Sequence, residues 1–277
     1  MDWRAAAFRV LQTGAPADKC AAASAAPDVL GADPIKVDRA AAPPPPRPER
    51  PSAPELCTPT KVPKRRFGSP EGRAAVLHAL AHIEFNAIDL AFDMAARFAP
   101  EIDALGLGTG DFVRDWFAIG AEEAGHFAMI SRRLAELGSS YGDFAAHDGL
   151  WDAAKETSDS ALARLAIAPM VLEARGLDVT PDIARRFRRA GDERSALIID
   201  QILADEVGHV AAGVRWFGRI CAARDLEPAA TFRNIVKERF RGGLKPPFNR
   251  EARERAGFSA SFYGDWNAPC DASDASC

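Results

Sequence analysis

The stretches Glu123-Ala-Gly-His126 and Glu206-Val-Gly-His209 decide the fold of this chain, because they place the same short motif in each of its two halves. A lone glutamate precedes each motif: Glu84 lies 39 residues before Glu123, and Glu173 lies 33 residues before Glu206. Residues three apart on an α-helix lie on one face about one turn apart, so each Glu-x-x-His pair can reach a common metal ion. The repeated pattern predicts four helices that together carry six metal ligands.

Hydrophobic periodicity places these carboxylates on the apolar faces of their helices. Apolar residues recur three or four positions apart around each of them, as on the buried face of a helix. Glu84 fills a gap in the apolar rhythm of the first helix, and Glu123 lies within the stripe of the second. Glu173 and Glu206 lie in the stripes of the third and fourth helices, whereas Glu122 points about 100° away from its neighbour. Four of these acids are therefore predicted to face the core.

Buried carboxylates require compensation, because an ionised carboxylate removed from water costs several kcal/mol unless it is paired or bound to metal. Two divalent cations are the simplest compensation, and oxygen ligands with one imidazole per ion suit iron or manganese better than zinc or copper. We predict two iron ions, or an iron–manganese or manganese–manganese pair, held by Glu84, Glu123, His126, Glu173, Glu206 and His209. The alternative is a set of salt-bridged or capping acids in the core.

Each predicted ligand has an expected role. Glu123 and Glu206, which share their helices with the histidines, are expected to bridge the two metals. Glu84 and Glu173 are expected to be terminal ligands, and each histidine is expected to bind one ion.

A glycine precedes each histidine of the two motifs. Gly125 and Gly208 each cost roughly 1 kcal/mol of helix propensity relative to alanine. A close approach of two helices, or room for a ligand beside the metals, would explain why glycine stands at these positions.

The connections between the helices fit a bundle. Glu84 lies 20 residues before a predicted turn at Ala104, and Glu123 lies 19 residues after it, so an antiparallel hairpin brings both to one height. In the second half, Thr180-Pro181 predicts a new helix start. Residues 140–157 are predicted to form the long crossover that a bundle needs when its second and third helices run parallel.

The chain divides into three segments by composition. Residues 1–67 form an Ala/Pro-rich N-terminal extension, which is expected to be partly irregular and to pack an amphipathic stretch, residues 3–11, on the bundle. Residues 68–258 form the helical bundle, with an extra C-terminal helix at 228–241. Residues 259–277 form a C-terminal tail.

Composition indicates a cytoplasmic protein. We find no apolar run of the roughly 18 residues that a membrane helix needs, and no basic start followed by an apolar stretch. We therefore expect no membrane partner and no secretion signal. The five cysteines form no close metal-binding pair, and a net charge of −4 argues against non-specific nucleic-acid binding.

Four further residues are candidates for supporting roles around the ligands. Arg175 and Asp178 follow Glu173 by about one turn and are predicted to hold a ligand in position, with an ordinary surface ion pair as the alternative. Asp205 is predicted to hydrogen-bond a ligand histidine from a facing helix. His147 lies in the glycine-containing crossover, where it either lines a substrate entrance or tethers its loop.

Several strings together resemble a known family. They are His78-Ala-Leu-Ala-His82-Ile-Glu84, Glu122-Glu-Ala-Gly-His-Phe127, Tyr141-Gly-Asp with His147-Asp-Gly-Leu-Trp151, Glu173-Ala-Arg-Gly-Leu-Asp-Val-Thr-Pro181, Asp205-Glu-Val-Gly-His209 and Lys245-Pro-Pro-Phe-Asn249. In these strings, residues 68–258 resemble a bacterial ferritin-like domain family of conserved proteins of unknown function. The resemblance implies an all-α fold, a ferritin-like four-helix bundle with a long crossover between helices 2 and 3, and a di-iron centre. It implies no particular substrate.

The metal site admits three classes of function. We expect an oxygen-dependent oxidase or hydroxylase that uses an electron donor and acts on an unknown small or nucleotide-linked substrate. The alternatives are ferritin-type iron handling and a non-catalytic, metal-stabilised bundle that acts as a binding partner. A nucleic-acid substrate is suggested only by analogy with a tRNA-modifying hydroxylase of the wider superfamily. The oligomeric state is left open by the sequence.

Overall fold

The computed structural model describes residues 2–31, 34–58, 61, 67–264 and 266. In chain order its helices are α1 (Trp3–Leu11), α2 (Pro16–Ala25), α3 (Pro70–Ala104), α4 (Thr109–Glu136), α5 (Gly149–Glu156), α6 (Ala161–Ile167), α7 (Ala174–Arg189), α8 (Glu193–Ala223), α9 (Pro228–Arg239), α10 (Arg250–Arg255) and α11 (Ala260–Tyr263). A π-helix, Ala168–Glu173, joins α6 to α7. Within the described residues the fold is all-α. Leu56 and Ala146 form an isolated β-bridge there that belongs to no strand.

Two helical hairpins form the core. Helices α3 and α4 pack along each other across a short turn that contains Gly108, whose φ is +80°. Helices α7 and α8 form the second hairpin, across a turn that contains Gly191 with a φ of +74°. The two hairpins contact each other through α4 with α8, and α6, which the π-helix joins to α7, contacts α3. The first turn lies where the sequence predicts it, directly after Ala104.

The predicted helix start at Thr180-Pro181 is wrong, because α7 continues through Pro181 and ends at Arg189. Proline has no N–H to donate to the carbonyl four residues earlier, which here belongs to Leu177. The Asn249 side chain fills that role, because its Nδ2 donates to the Leu177 carbonyl oxygen over 3.1 Å. A distant loop thus satisfies the carbonyl that the internal proline would leave unpaired.

A distant donor likewise compensates for a proline in α3, which contains Pro100. The carbonyl four residues before it, that of Ala96, accepts a hydrogen bond of 3.2 Å from Arg4 Nη1 on α1. Helix α1 thus supports the long core helix at the point where its own hydrogen bonding is interrupted.

Replacing Asn249 by alanine is expected to lower the free energy of unfolding by roughly 2 to 3 kcal/mol. The substitution leaves the Leu177 carbonyl unpaired, and it removes the side-chain cap that accepts from Ala252 N at the start of α10. Urea unfolding measures the change. Asn234→Ala is the matched control, because Asn234 is exposed on α9. Equal stability of both variants would contradict this role of Asn249.

The N-terminal segment packs on the first hairpin. Helix α1 lies on α3, and α2 lies on α4. Lys19 of α2 and Arg50 of the following extended segment both pair with Asp89, a fully buried carboxylate on α3. Tail residues 265 and 267–277, from the predicted segment 259–277, lie outside the described residues.

Two buried histidines of α3 hold the crossover between α4 and α6. His78 Nε2 accepts a hydrogen bond of 2.9 Å from the backbone N–H of Gly142. His82 Nδ1 lies 2.8 Å from the hydroxyl of Tyr141, and its Nε2 lies 3.1 Å from the backbone oxygen of His147. The ring of His147 accepts from the backbone N–H of Gly149 over 3.2 Å. These contacts favour the loop-tethering role for His147.

Helix α3 is long and apolar enough by composition to cross a membrane, so the expectation that no such run is present is wrong. Its most apolar 18-residue window is 78% buried inside the protein, as in the core helix of a soluble protein. The buried charges Asp89 and Asp93 on the same helix fit this interior position.

Candidate metal centre

All four core helical segments contribute to one cluster of acidic and imidazole side chains. Its members are Glu84 of α3, Glu123 and His126 of α4, Glu173 at the end of the π-helix, and Glu206 and His209 of α8. Five of the six residues are buried, and Glu173 is partly exposed. Ligand atoms of Glu84, Glu123, His126 and Glu206 lie within 4.8 Å of one another. This buried group could hold a metal ion.

Glu123 lies between the two imidazoles. Its Oε1 is 2.9 Å from His209 Nδ1, and its Oε2 is 3.4 Å from His126 Nδ1. On the first side, Glu84 Oε2 lies 3.3 Å from His126 Nδ1. On the second side, Glu206 Oε1 lies 3.5 Å from His209 Nδ1. Each imidazole therefore faces two carboxylates, and Glu123 is shared by both.

The π-helix positions Glu173, its last residue. Single π-helical turns are rare and often lie at functional sites, because they change the facing of the residues that follow them. Helix α8 packs closely against this turn at Gly213, where a Cβ would lie 2.5 Å from the Pro169 ring. A glycine at this position is therefore required for the approach of α8 to the π-helix.

Polar atoms without a well-formed hydrogen bond converge in the cluster. Buried polar atoms in proteins nearly always have a hydrogen-bond partner. Six buried atoms of this cluster make no well-formed hydrogen bond, although several of them face one another at 2.9 to 3.5 Å, namely Glu123 Oε1 and Oε2, His126 Nδ1, Glu173 Oε2, Glu206 Oε2 and His209 Nδ1. All six are carboxylate oxygens or imidazole nitrogens, the atoms that coordinate divalent metals. Bound cations would coordinate these atoms.

The carboxylates of the cluster have strongly altered proton affinities. Burial raises the pKa of Glu84 well above its usual range, and the charge of Glu123 raises it further. Burial also raises the pKa of Glu173 and of Glu206, with additional contributions from neighbouring carboxylates. Burial opposes ionisation of Glu123 as well, but the nearby imidazoles, His209 foremost, outweigh it and lower the pKa of Glu123.

The imidazoles retain their protons in the absence of metal. Burial lowers the proton affinity of His126, but Glu123 and Glu84 outweigh this effect and raise its pKa to about 11. The pKa of His209 is raised in the same way by Glu123 and Glu206. Two protonated imidazoles then offset part of the carboxylate charge. A cation that binds Nδ1 must displace these protons, after which four carboxylates balance the charge of two divalent ions.

A second layer of carboxylates holds the outer nitrogens of the histidines. Asp205 Oδ2 of α8 lies 3.2 Å from His126 Nε2 of α4, and Glu122 Oε2 of α4 lies 2.8 Å from His209 Nε2 of α8. Metal-binding histidines typically donate their second N–H to such a partner, which fixes the ring. The contact of Asp205 agrees with the prediction from the sequence, whereas Glu122 was expected only to point away from the apolar stripe of its helix. The acidic residue directly before each motif glutamate was the signal that could have identified it.

Replacing Glu122 or Asp205 by alanine is expected to weaken metal binding by about 10- to 100-fold in each case, because the outer partners orient the imidazoles. Anaerobic titration of metal-free protein with Fe²⁺ measures the dissociation constants. Glu238→Ala, an exposed position on α9, is the control. If both variants bind iron as tightly as the control does, these carboxylates are only surface acceptors.

Arg175 and Asp178 have other partners than the ligands. Asp178 is paired with the buried Arg253 over 2.7 Å, and it accepts from the backbone N–H of Asn249 over 2.9 Å. Arg175 Nη1 donates to the backbone oxygen of Lys245 over 2.8 Å. Both side chains connect α7 to the segment that follows α9. None of these interactions is the predicted contact with a metal ligand.

The glycines before the histidines lie on the outer surface. Gly125 and Gly208 are exposed, and a Cβ at either position would meet no atom within 4 Å. A close approach of helices is therefore the wrong explanation for them. They flank the outer carboxylates Glu122 and Asp205, on the histidine side of the cluster.

A cavity of about 210 Å³ lies on the other side of the cluster. All four glutamates line it, and neither histidine does. Most of its remaining wall is aliphatic, with contributions from α3, the π-helix, α7 and α8. The cluster thus has an apolar space on its carboxylate side and partly exposed acids on its histidine side.

Comparison with known proteins gives a family but no activity. Residues 12–264 match the family described as "Protein of unknown function (DUF455)", and the chain belongs to this family. A protein from Haemophilus influenzae, described as "Uncharacterized protein", is 42% identical over 210 residues, which cover 76% of this chain and 73% of the relative. No solved structure matches the chain.

Proposed function

We propose that this protein is a ferritin-like dimetal carboxylate protein and that it acts as an oxygen-dependent oxidase or hydroxylase. The observation that carries the proposal is the convergence of carboxylate and imidazole side chains from four helical segments, six of whose buried atoms make no well-formed hydrogen bond, beside an apolar cavity. The ferritin-like assignment is supported by the two packed hairpins and by the crossover between α4 and α6.

The contacts suggest how two ions would be held. Glu123 offers one oxygen toward each imidazole, which suits a bridging ligand. Glu84 and His126 would complete one side, Glu173 and His209 would complete the other, and Glu206 would be the second shared carboxylate. Because oxygen ligands dominate this donor set and each ion receives one imidazole, iron or manganese fits better than copper or zinc.

The surrounding residues suit oxidation of a substrate. A bound iron or manganese pair would supply the redox chemistry that side chains lack. For a hydroxylation the overall balance is R–H + O₂ + 2 e⁻ + 2 H⁺ → R–OH + H₂O, with the electrons supplied by a reduced iron–sulfur or flavin protein. The aliphatic wall of the cavity offers water few hydrogen-bond partners on the reacting side. Glu122 and Asp205 are partly exposed, and their carboxylates accept from the Nε2 atoms of the two imidazoles.

Oxygen uptake by iron-loaded protein tests this function. Metal-free protein is loaded anaerobically with Fe²⁺, mixed with oxygenated buffer, and followed with an oxygen electrode and by optical absorption. We expect uptake of oxygen in proportion to bound iron, faster than for Fe²⁺ in buffer alone. Protein that binds iron but leaves oxygen unconsumed would overturn the oxidase proposal and favour the metal-stabilised bundle. A large assembly in size-exclusion chromatography that stores many irons per chain would favour ferritin-type iron handling instead.

A further inference from the structure

The cavity beside the cluster is lined mainly by apolar side chains. Beyond the four glutamates, its wall within the described residues is formed mainly by leucine, isoleucine, valine and alanine side chains. Ile83 lies at this wall and is 43% exposed, which is unusual for a large aliphatic side chain on a core helix. Ile83 therefore places an exposed apolar side chain at the wall of the cavity.

We propose that this cavity binds the hydrocarbon part of the substrate, so that the group presented to the carboxylate cluster is an aliphatic or aryl chain. Apolar cavities favour apolar ligands, because polar groups lose their hydrogen bonds to water on entry without replacement. The identity of the reacting group rests on the proposed function. Binding of a hydrocarbon to the cavity can be measured whether or not that function holds.

The volume of the cavity sets the size of the ligand. An engineered aliphatic cavity of about 150 Å³ in another protein binds benzene. By proportion, a cavity of about 210 Å³ accommodates about eight non-hydrogen atoms. A medium-length alkyl chain or a substituted benzene ring fits this space, whereas a whole nucleotide exceeds it.

The lining also lacks the groups that recognise a nucleotide. No aromatic ring among the described lining residues is available to stack on a base. Arg175 and Thr180 are the polar lining side chains other than the glutamates, and Arg175 already donates to the backbone oxygens of Lys245 and Pro247. The nucleotide-linked substrate that the sequence left open therefore does not fit inside this cavity.

Gly176 gives a direct way to fill the cavity. It lies in α7 and lines the cavity, and a Cβ built on it meets no atom within 4 Å. A leucine at this position is expected to extend into the space, and it should not destabilise the helix, because glycine is a poor helix former. Gly218 of α8 is a matched control, since it is also helical and open but does not line the cavity.

The test is calorimetric titration of metal-free and Zn²⁺-loaded protein with 1-octanol, and separately with adenosine monophosphate. We expect 1-octanol to bind the wild type. Gly176→Leu should raise its dissociation constant at least about tenfold, since the leucine occupies the space of several methylene groups. Gly176→Ala should have a smaller effect, and Gly218→Leu none. Melting temperatures at or above that of the wild type would show that the variants are folded.

The outcomes separate this inference from the proposed function. Binding of 1-octanol that is lost in Gly176→Leu supports the hydrocarbon site, whether or not the iron-loaded protein consumes oxygen. Absence of 1-octanol binding, equal binding by wild type and Gly176→Leu, or preferential binding of adenosine monophosphate would overturn it, even if oxygen uptake is observed. If Gly176→Leu fails to fold, the graded Gly176→Ala variant provides the same comparison.

Discussion

Replacing Glu123 by alanine is expected to abolish metal binding at this site, with a loss of affinity greater than about 100-fold, the upper end of what outer partners contribute. Glu123 is the carboxylate that faces both imidazoles, at 2.9 Å from His209 Nδ1 and 3.4 Å from His126 Nδ1. Its removal takes one oxygen ligand from each ion. The measurement is metal content after loading with Fe²⁺ and desalting, together with an anaerobic binding titration.

The matched control is Glu238→Ala, which removes the same side chain from an exposed position on α9. Circular dichroism should show equal helix content in both variants, because the bundle is held by its apolar core. The proposed bridging role of Glu123 would be refuted by a folded Glu123→Ala protein that retains iron as the wild type does.

Metal is expected to raise the melting temperature of the metal-free protein by roughly 5 to 10 °C at a free concentration about 100 times the dissociation constant. An ion that binds only the folded state adds about 2.7 kcal/mol under that condition. The physical origin is that a cation would offset the repulsion between the buried carboxylates and coordinate atoms that make no well-formed hydrogen bond. Differential scanning calorimetry with Mn²⁺ measures the effect without oxygen chemistry.

Replacing Glu84 by glutamine distinguishes a metal-binding role of this residue from a purely structural one. The pKa of Glu84 is higher in the folded state than in the unfolded chain, chiefly through burial, so its ionised form opposes folding at neutral pH. The metal-free variant should therefore melt at or above metal-free wild type, while it loses most of the rise produced by Mn²⁺. A variant that is less stable without metal, and that still responds fully to Mn²⁺, would identify Glu84 as a structural acid.

The helical architecture and the position of the cluster could be anticipated from the sequence for a physical reason. Ligands on a helix must keep the spacing of the helix, so Glu123 with His126 and Glu206 with His209 reveal both the element and its face. The turn after Ala104 was predictable from the lengths on either side of it. The all-α fold is confirmed, and membership of the family is shown by the match over residues 12–264.

Features that depend on distant contacts were not predictable. Pro181 indicates a helix start by its local chemistry, and only the hydrogen bond from Asn249 to the Leu177 carbonyl explains why the helix continues. Glu122 leaves the apolar stripe of its own helix, and its contact with His209 becomes visible only when α8 is packed beside α4. Both cases involve residues whose partners lie far away in sequence.

Anomalous diffraction from crystals grown with Mn²⁺ or Fe²⁺ tests the dimetal centre most directly. The account predicts two anomalous peaks about 3.5 to 4 Å apart, as in other two-metal sites. They should lie between Glu123 and the Nδ1 atoms of His126 and His209. A map without peaks among these side chains, or with metal bound only elsewhere on the protein, would contradict it.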